Sequence, residues 1–131
     1  KRTVVDYLLT KMSRFIDVII PRGGKGLVKK VQDLSKVPTI GHLEGVCHSY
    51  VDKDTSPKIA QNVVYNAKLR NTAICGATET ILLHKQIIKK IGNSILKSLE
   101  ESGCKIIGDS RIMKSYKGNV KKASYKDWTK E

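Results

Sequence analysis

Cys75 stands in the run Asn71-Thr72-Ala73-Ile74-Cys75-Gly76-Ala77-Thr78, between a stretch with helical spacing and an apolar one. Its neighbours Ala73, Gly76 and Ala77 are small, so an electrophile can approach the sulfur closely. The backbone N–H groups of such a loop can face a developing oxyanion. A thiol there is a capable nucleophile once its pKa is lowered. The same residues also suit a half-buried structural cysteine, and composition alone leans that way. A second candidate is Ile20–Leu27, IPRGGKGL. A glycine-rich turn that opens a helix presents free N–H groups and the positive end of the helix dipole, which suits phosphate. It matches neither the P-loop nor the G-x-G-x-x-G pattern, because Lys29 occupies the place of the third glycine counted from Gly24 and Gly26. A plain tight turn is the alternative. Cys47 and Cys104 fall in strand-like apolar runs and read as structural. His42, His48 and His84 could assist a nucleophile, but spacing pairs none of them with it. No paired carboxylates for general acid–base work are evident, and Glu100 and Glu101 read as a solvated helix end. Structural zinc would need four ligands in two close pairs, and Cys47/His48 lacks a second pair. No metal site is expected.

These residues must be positioned by regular elements. Val4, Val5, Leu8, Leu9, Met12 and Phe15 recur at helical spacing and predict a helix over 3–15. Asp17–Ile20 predicts a short buried strand, and Val37–Ile40 and Val46–Val51 predict two more. Leu27, Val28, Val31 and Leu34 predict a helix between the first two. Ser56-Pro57 is a helix start, with Ser able to cap, followed by Ile59, Val63, Val64 and Ala67. Residues 70–78 read as a loop and Thr80–His84 as a strand. Ile87, Ile88, Ile91, Ile95, Leu96 and Leu99 predict one long helix closed by Gly103. Lys105–Ile107 predicts a strand, and beyond it only a strand near Val120 is expected. Alternating strands and helices imply an α/β layered fold with parallel pairing.

The 131 residues suit one domain, with 40% hydrophobic residues for a modest core. Lys and Arg outnumber Asp and Glu 25 to 12, a formal charge of +13. The basic residues are 20 Lys and only 5 Arg, aromatics are 5%, and the lysines are spread along the chain. Sequence-reading nucleic-acid binders rely on Arg and aromatics, so nucleic acid is disfavoured as a partner. An anionic small substrate or phosphate-bearing cofactor suits the charge as well. The odd, scattered cysteines argue against a disulfide framework and for a reducing, cytoplasmic setting. No apolar run is long enough for a membrane helix, and no signal-peptide pattern is visible. The chain opens on Lys1, not methionine, as expected of a piece of a longer sequence.

Three segments jointly resemble gamma-glutamyl phosphate reductase, the proline-pathway member of the aldehyde dehydrogenase superfamily. They are Asp17–Leu27 (DVIIPRGGKGL), Pro38–Asp54 (PTIGHLEGVCHSYVDKD) and Asn66–His84 (NAKLRNTAICGATETILLH). The ending Asp127–Glu131 fits as well, and order and spacing are preserved over nearly the whole chain. The resemblance implies a parallel-sheet fragment of the aldehyde dehydrogenase fold. Residues 1–44 would be the C-terminal part of the NADP-binding domain, and residues 45–131 the N-terminal part of the catalytic domain. It implies reduction of L-glutamate 5-phosphate to L-glutamate 5-semialdehyde with NADPH, through a cysteine thioester, with release of phosphate. By the same resemblance Cys75 is the nucleophile, Pro21, Arg22, Gly23 and Gly24 flank the cofactor, and Asn66 and Gly76 touch substrate. In hydrolytic relatives a Glu base stands in the crossover that Gly41–His48 matches. Here His42 takes that place, with Glu44 two residues on, which suits an enzyme that must shield its thioester from water. Two departures stand out. Leu69, Arg70, Asn71 and Thr72 replace the family's usual residues, and Gly76 stands where the family usually has Asn, so the loop is expected to be looser. The resemblance also covers only the middle of a family chain. Little or no activity is therefore expected from this chain alone, with a homo-oligomer or a complementary fragment as its expected protein partner. The competing reading is a non-catalytic basic α/β module that binds such a fragment or a polyanion.

Overall fold

A computed structural model describes residues 2–43 and 45–129. The chain forms two compact units, Lys1–Glu44 and Gly45–Glu131. In the first, helix α1 (Arg2–Lys11) and helix α2 (Lys25–Leu34) pack together. Leu9, Val28, Val31 and Val37 are buried there. Lys30 pairs with Asp6 at 2.5 Å, and the Lys36 N–H donates to the Leu9 carbonyl at 2.9 Å. Helix α2 is where the apolar spacing put it. Helix α1 is shorter than the predicted 3–15. Beyond Lys11 the Met12 carbonyl accepts from both Phe15 and Ile16, a turn rather than a continuing helix, and Phe15 is exposed.

The predicted strands at 17–20 and 37–40 amount to a single parallel bridge between Ile19 and Thr39. Its two bonds both run through Ile19, whose N–H donates to Pro38 and whose carbonyl accepts from Ile40. Pro38 has no N–H to give, so it cannot extend the ladder on its own edge. Val18, Ile20 and Ile40 are exposed, contrary to the buried strand expected.

The second unit carries two parallel pairs. Strand β1 (Cys47–Val51) pairs with β2 (Thr78–Leu83), and helix α3 (Pro57–Leu69) makes the crossover. Strand β3 (Ile106–Gly108) pairs with β4 (Val120–Lys122) across helix α5 (Ser110–Ser115). Parallel neighbours need such crossovers, which the alternation predicted. Strand β2 begins at Thr78, inside the predicted loop, and ends before His84, whose N–H still donates to the Val51 carbonyl at 3.0 Å. Strand β3 runs one residue later than expected. Ser56 precedes α3 but makes no side-chain cap bond there. Of the apolar residues expected on α3, Val64 is buried, whereas Ile59 and Val63 are exposed.

The predicted long helix is split. Residues Ile88–Gly92 form a π-helical turn, in which the Gly92 N–H reaches the Ile87 carbonyl at 3.0 Å, and helix α4 (Asn93–Glu101) follows. A Cβ at Gly92 would lie 2.7 Å from Leu83 Cδ1, so the wider turn and the glycine together seat this element on β2. Gly103 closes α4 as expected, at φ +87°, with the Cys104 N–H donating back to the Leu99 carbonyl at 3.0 Å. The core gathers Val51, Ala60, Val64, Ile87, Ile91, Ile95, Leu96, Leu99, Ile106 and Tyr116. Helix α5 and the 3-10 turn Tyr125–Trp128 were not anticipated. Each has a side-chain cap. Asp109 accepts from the Arg111 and Ile112 N–H groups, and Ser124 and Asp127 form a capping box.

One tie joins α4 to the loop after α5. The Tyr116 hydroxyl donates to Glu100, whose other carboxylate oxygen accepts the Asn119 N–H at 2.7 Å. A Cβ at Gly118 would collide with that carboxylate and the Tyr116 ring, so a larger residue there must displace the tie. Burial, reinforced by Glu100, pushes the Tyr116 phenol up to about 12, and the Tyr116 hydrogen bond, followed by the Asn119 N–H, lowers the Glu100 carboxyl. An unfolded tyrosine titrates near ~10. The phenol's contribution is therefore complete below pH ~10 and is lost as pH climbs to about 12. Glu100's contribution is present above its unfolded pKa and is lost as pH falls through the lowered folded value. Thermal melts from pH 9 upward should show an alkaline loss of stability that is smaller in Tyr116→Phe, which should also melt lower at neutral pH.

Candidate active site

The bend that carries Cys75 is built by the strand entry on one side and β2 on the other. The Ala73 N–H donates to the Asn71 side chain at 3.1 Å, and the Ala77 N–H donates to the Ile74 carbonyl at 3.0 Å. Ala77 and Thr78 are buried and pin the exit of the bend, while Cys75 and Gly76 are exposed. A Cβ built on Gly76 meets nothing within 4 Å, so the space beside the thiol is open. Of the three free cysteines, Cys75 is exposed and Cys47 and Cys104 are half-buried.

Two residues that sequence reasoning did not tie to Cys75 hold it in place. The Cys47 thiol donates to the Cys75 carbonyl at 3.2 Å. A Cβ at Gly45 would lie 2.8 Å from that same oxygen, closer than real Cβ atoms come. Immediately beyond, the β1–β2 register slips: Cys47 faces Thr78 but His48 faces Thr80, which leaves Glu79 as the extra residue of a bulge. Bulges of this kind re-aim chain next to sites. Glu79 is anchored by Lys68 of α3 at 2.8 and 2.9 Å in a half-buried pair, and Ser49 meets Thr78 at 2.7 Å. Pairs separated by 28 to 30 residues leave no local spacing signal in the sequence.

Asn66 is exposed on the last turns of α3, and its carbonyl accepts the Arg70 N–H at 3.1 Å. His48 turns its Nδ1 to the Val46 carbonyl at 2.7 Å, and the His84 Nδ1 accepts from the Gln86 N–H at 3.3 Å. His42 is exposed, and Glu44 lies outside the described residues, as do Lys130 and Glu131 of the matched ending. In the first unit, Pro21, Arg22, Gly23 and Gly24 form the turn into α2. Gly23 has φ +156°, and Gly24 and Gly26 have open space where a Cβ would be. Gly41 packs on the Pro21 ring, where a Cβ would come within 2.9 Å of Cγ. A cavity of about 280 Å3 in the second unit is lined by Thr78, Thr80, Leu83, Leu99, Ile106 and Trp128 among others, but not by Cys75. Among the described residues, no group of three His, Cys, Asp or Glu side chains is placed to hold a metal ion. No helix among them is long and apolar enough to cross a membrane.

No protein-family model matches the chain. Its sequence is 46% identical over 130 residues to the gamma-glutamyl phosphate reductase of Bartonella quintana and 42% identical to that of Hyphomonas neptunium, with 99% of this chain covered in each. The chain corresponds to an internal segment of gamma-glutamyl phosphate reductase. It spans about 30% of the length of these reductases. The crystal structure of the gamma-glutamyl phosphate reductase of Thermotoga maritima superposes with a TM-score of 0.83 at 30% identity, covering 98% of this chain and 30% of that one. Betaine aldehyde dehydrogenase of Staphylococcus aureus, solved in complex with NAD+, matches at a TM-score of 0.58 and 15% identity, over 94% of this chain and 24% of its own. That likeness extends the reductase's fold to the aldehyde dehydrogenases, and the parallel pairs β1–β2 and β3–β4 are its mark here.

Proposed function

We propose that this chain carries the nucleophile segment of an NADPH-dependent oxidoreductase of proline biosynthesis, acting on L-glutamate 5-phosphate. Cys75 attacks the acyl carbon, phosphate leaves, and the glutamyl group is held as a thioester. The observation that carries this reading is the exposed Cys75 thiol on a bend whose carbonyl is held by Cys47 and abutted by Gly45. The open space at Gly76 leaves room for a substrate carbonyl, and Asn66 is accessible to the rest of the substrate. The turn Pro21–Gly24 fits one wall of a dinucleotide site, since Gly24 and Gly26 leave the start of α2 open to phosphate oxygens. A nicotinamide cofactor would supply the hydride that reduces the thioester, and Pro21, Arg22, Gly23 and Gly24 would flank it. His42 stands in the matched crossover where hydrolytic relatives carry a Glu base.

Catalysis needs thiol, substrate and cofactor held within a fraction of an ångström. With about 30% of the relatives' length, this chain is a poor catalyst by itself and a partner for complementary sequence. Apolar side chains left exposed, such as Ile59 and Val63 on α3, favour that role. Two measurements test the reading. Iodoacetamide labelling followed by peptide mapping should modify Cys75 faster than Cys47 or Cys104; equal rates would remove Cys75 from its role. An NADPH-oxidation assay with the acyl phosphate should show no appreciable turnover, and rates of about 1–1,000 per second would overturn the inactivity.

A further inference from the structure

Cys47 and Gly45 both lean on Cys75, as residues two apart along an extended chain share a face. A Cβ at Gly45 would lie 3.9 Å from Cys75 Cβ, and the Cys47 sulfur lies 3.2 Å from the Cys75 carbonyl oxygen. A disulfide needs Cβ atoms about 3.5–4.5 Å apart, and the Cys47 sulfur already stands against the main chain of Cys75. Cys75 sits in an exposed bend outside helix and strand, so it can turn its sulfur toward Cys47 without breaking a ladder. Cys104 makes no such approach; it packs beside the core and lines the separate cavity.

We propose that Cys47 is a resolving thiol for Cys75. A hydroperoxide oxidises the Cys75 thiolate to a sulfenic acid and is itself reduced to the alcohol or water. The Cys47 thiolate then attacks the sulfenyl sulfur, hydroxide leaves and takes up the thiol proton as water, and a Cys47–Cys75 disulfide forms. A dithiol reductant restores both thiols by exchange. The disulfide removes the nucleophile reversibly and keeps it from the irreversible sulfinic acid. This inference rests on the reading of Cys75 as the reactive thiol.

The test is non-reducing peptide mapping of the reduced chain after hydrogen peroxide, beside an arm with diamide, which couples neighbouring thiols without a sulfenic acid. The expected result is a Cys47–Cys75 linked pair in both arms with Cys104 left reduced. In Cys47→Ala the pair is lost and Cys75 accumulates sulfinic acid. Cys47→Ser, whose hydroxyl can still donate to the Cys75 carbonyl, should behave like Cys47→Ala while keeping the native circular dichroism. If peroxide takes Cys75 to sulfinic acid in the native chain with no linked pair in either arm, the inference falls and the reactive Cys75 stands. If diamide links the pair but peroxide leaves Cys75 untouched, the reading of Cys75 as the reactive thiol falls and the inference with it.

Discussion

Ile95→Ala should cost about 3–4 kcal/mol of unfolding free energy, within the range for emptying a fully packed isoleucine site. Ile95 has no accessible surface and stands on α4 at the centre of the second unit's core, among Val64, Ile91, Leu99 and the other buried side chains of that cluster. Neighbours on α4 and on the π-helical turn are fixed by backbone hydrogen bonds, so the site cannot collapse fully around the missing atoms. Native domains hold only about 5–15 kcal/mol in reserve, and a core this small belongs near the bottom of that range. In urea the transition midpoint should fall by roughly 2 M with an unchanged slope, taking a slope of about 1–3 kcal/mol per molar. A midpoint unchanged within error would mean that this cluster is not what holds the second unit together.

The same core shows which parts of the fold could be read from residue order. The buried face of α2 was legible because Val28 and Val31 lie on one helical stripe and no partner changes that period. The pairing of β1 with β2 through α3 followed from alternation, since a parallel neighbour needs a crossover. The π-helical turn was not legible, because Ile87, Ile88, Ile91 and Ile95 fit an ordinary helix equally well. Its glycine, Gly92, lies close against Leu83 of another element, where a Cβ would come within 2.7 Å of Cδ1. The runs Asp17–Ile20 and Val37–Ile40 have strand composition but meet only at one bridge, since a strand is made by its neighbours as much as by its own side chains. At the candidate site, small neighbours marked Cys75 as one candidate, and its assignment as nucleophile came from the resemblance. Its grip was not, because Gly45 and Cys47 meet it across the whole length of α3 and the bulge at Glu79 exists only once β1 and β2 pair.

Gly45→Val should displace the Cys75 bend and lower stability by about 1–3 kcal/mol, the usual cost of forcing added atoms into a filled space. The added Cβ would stand 2.8 Å from the Cys75 carbonyl oxygen and 3.7 Å from its carbon. Both are main-chain atoms, so no flexible side chain can swing aside and the peptide itself must move. Any such movement draws the carbonyl away from the Cys47 thiol, which now reaches it at 3.2 Å, and shifts the sulfur relative to the open space beside Gly76. Two readouts separate this from general loosening. The alkylation rate of Cys75 should change severalfold while that of Cys104, which packs beside the core, stays near its original value at temperatures well below the melt. Peroxide should also no longer give the Cys47–Cys75 pair. If valine is accommodated with Cys75 labelling at its native rate, the close approach of Gly45 does not set the position of the thiol, and the geometry on which its proposed chemistry depends must come from the β2 side alone.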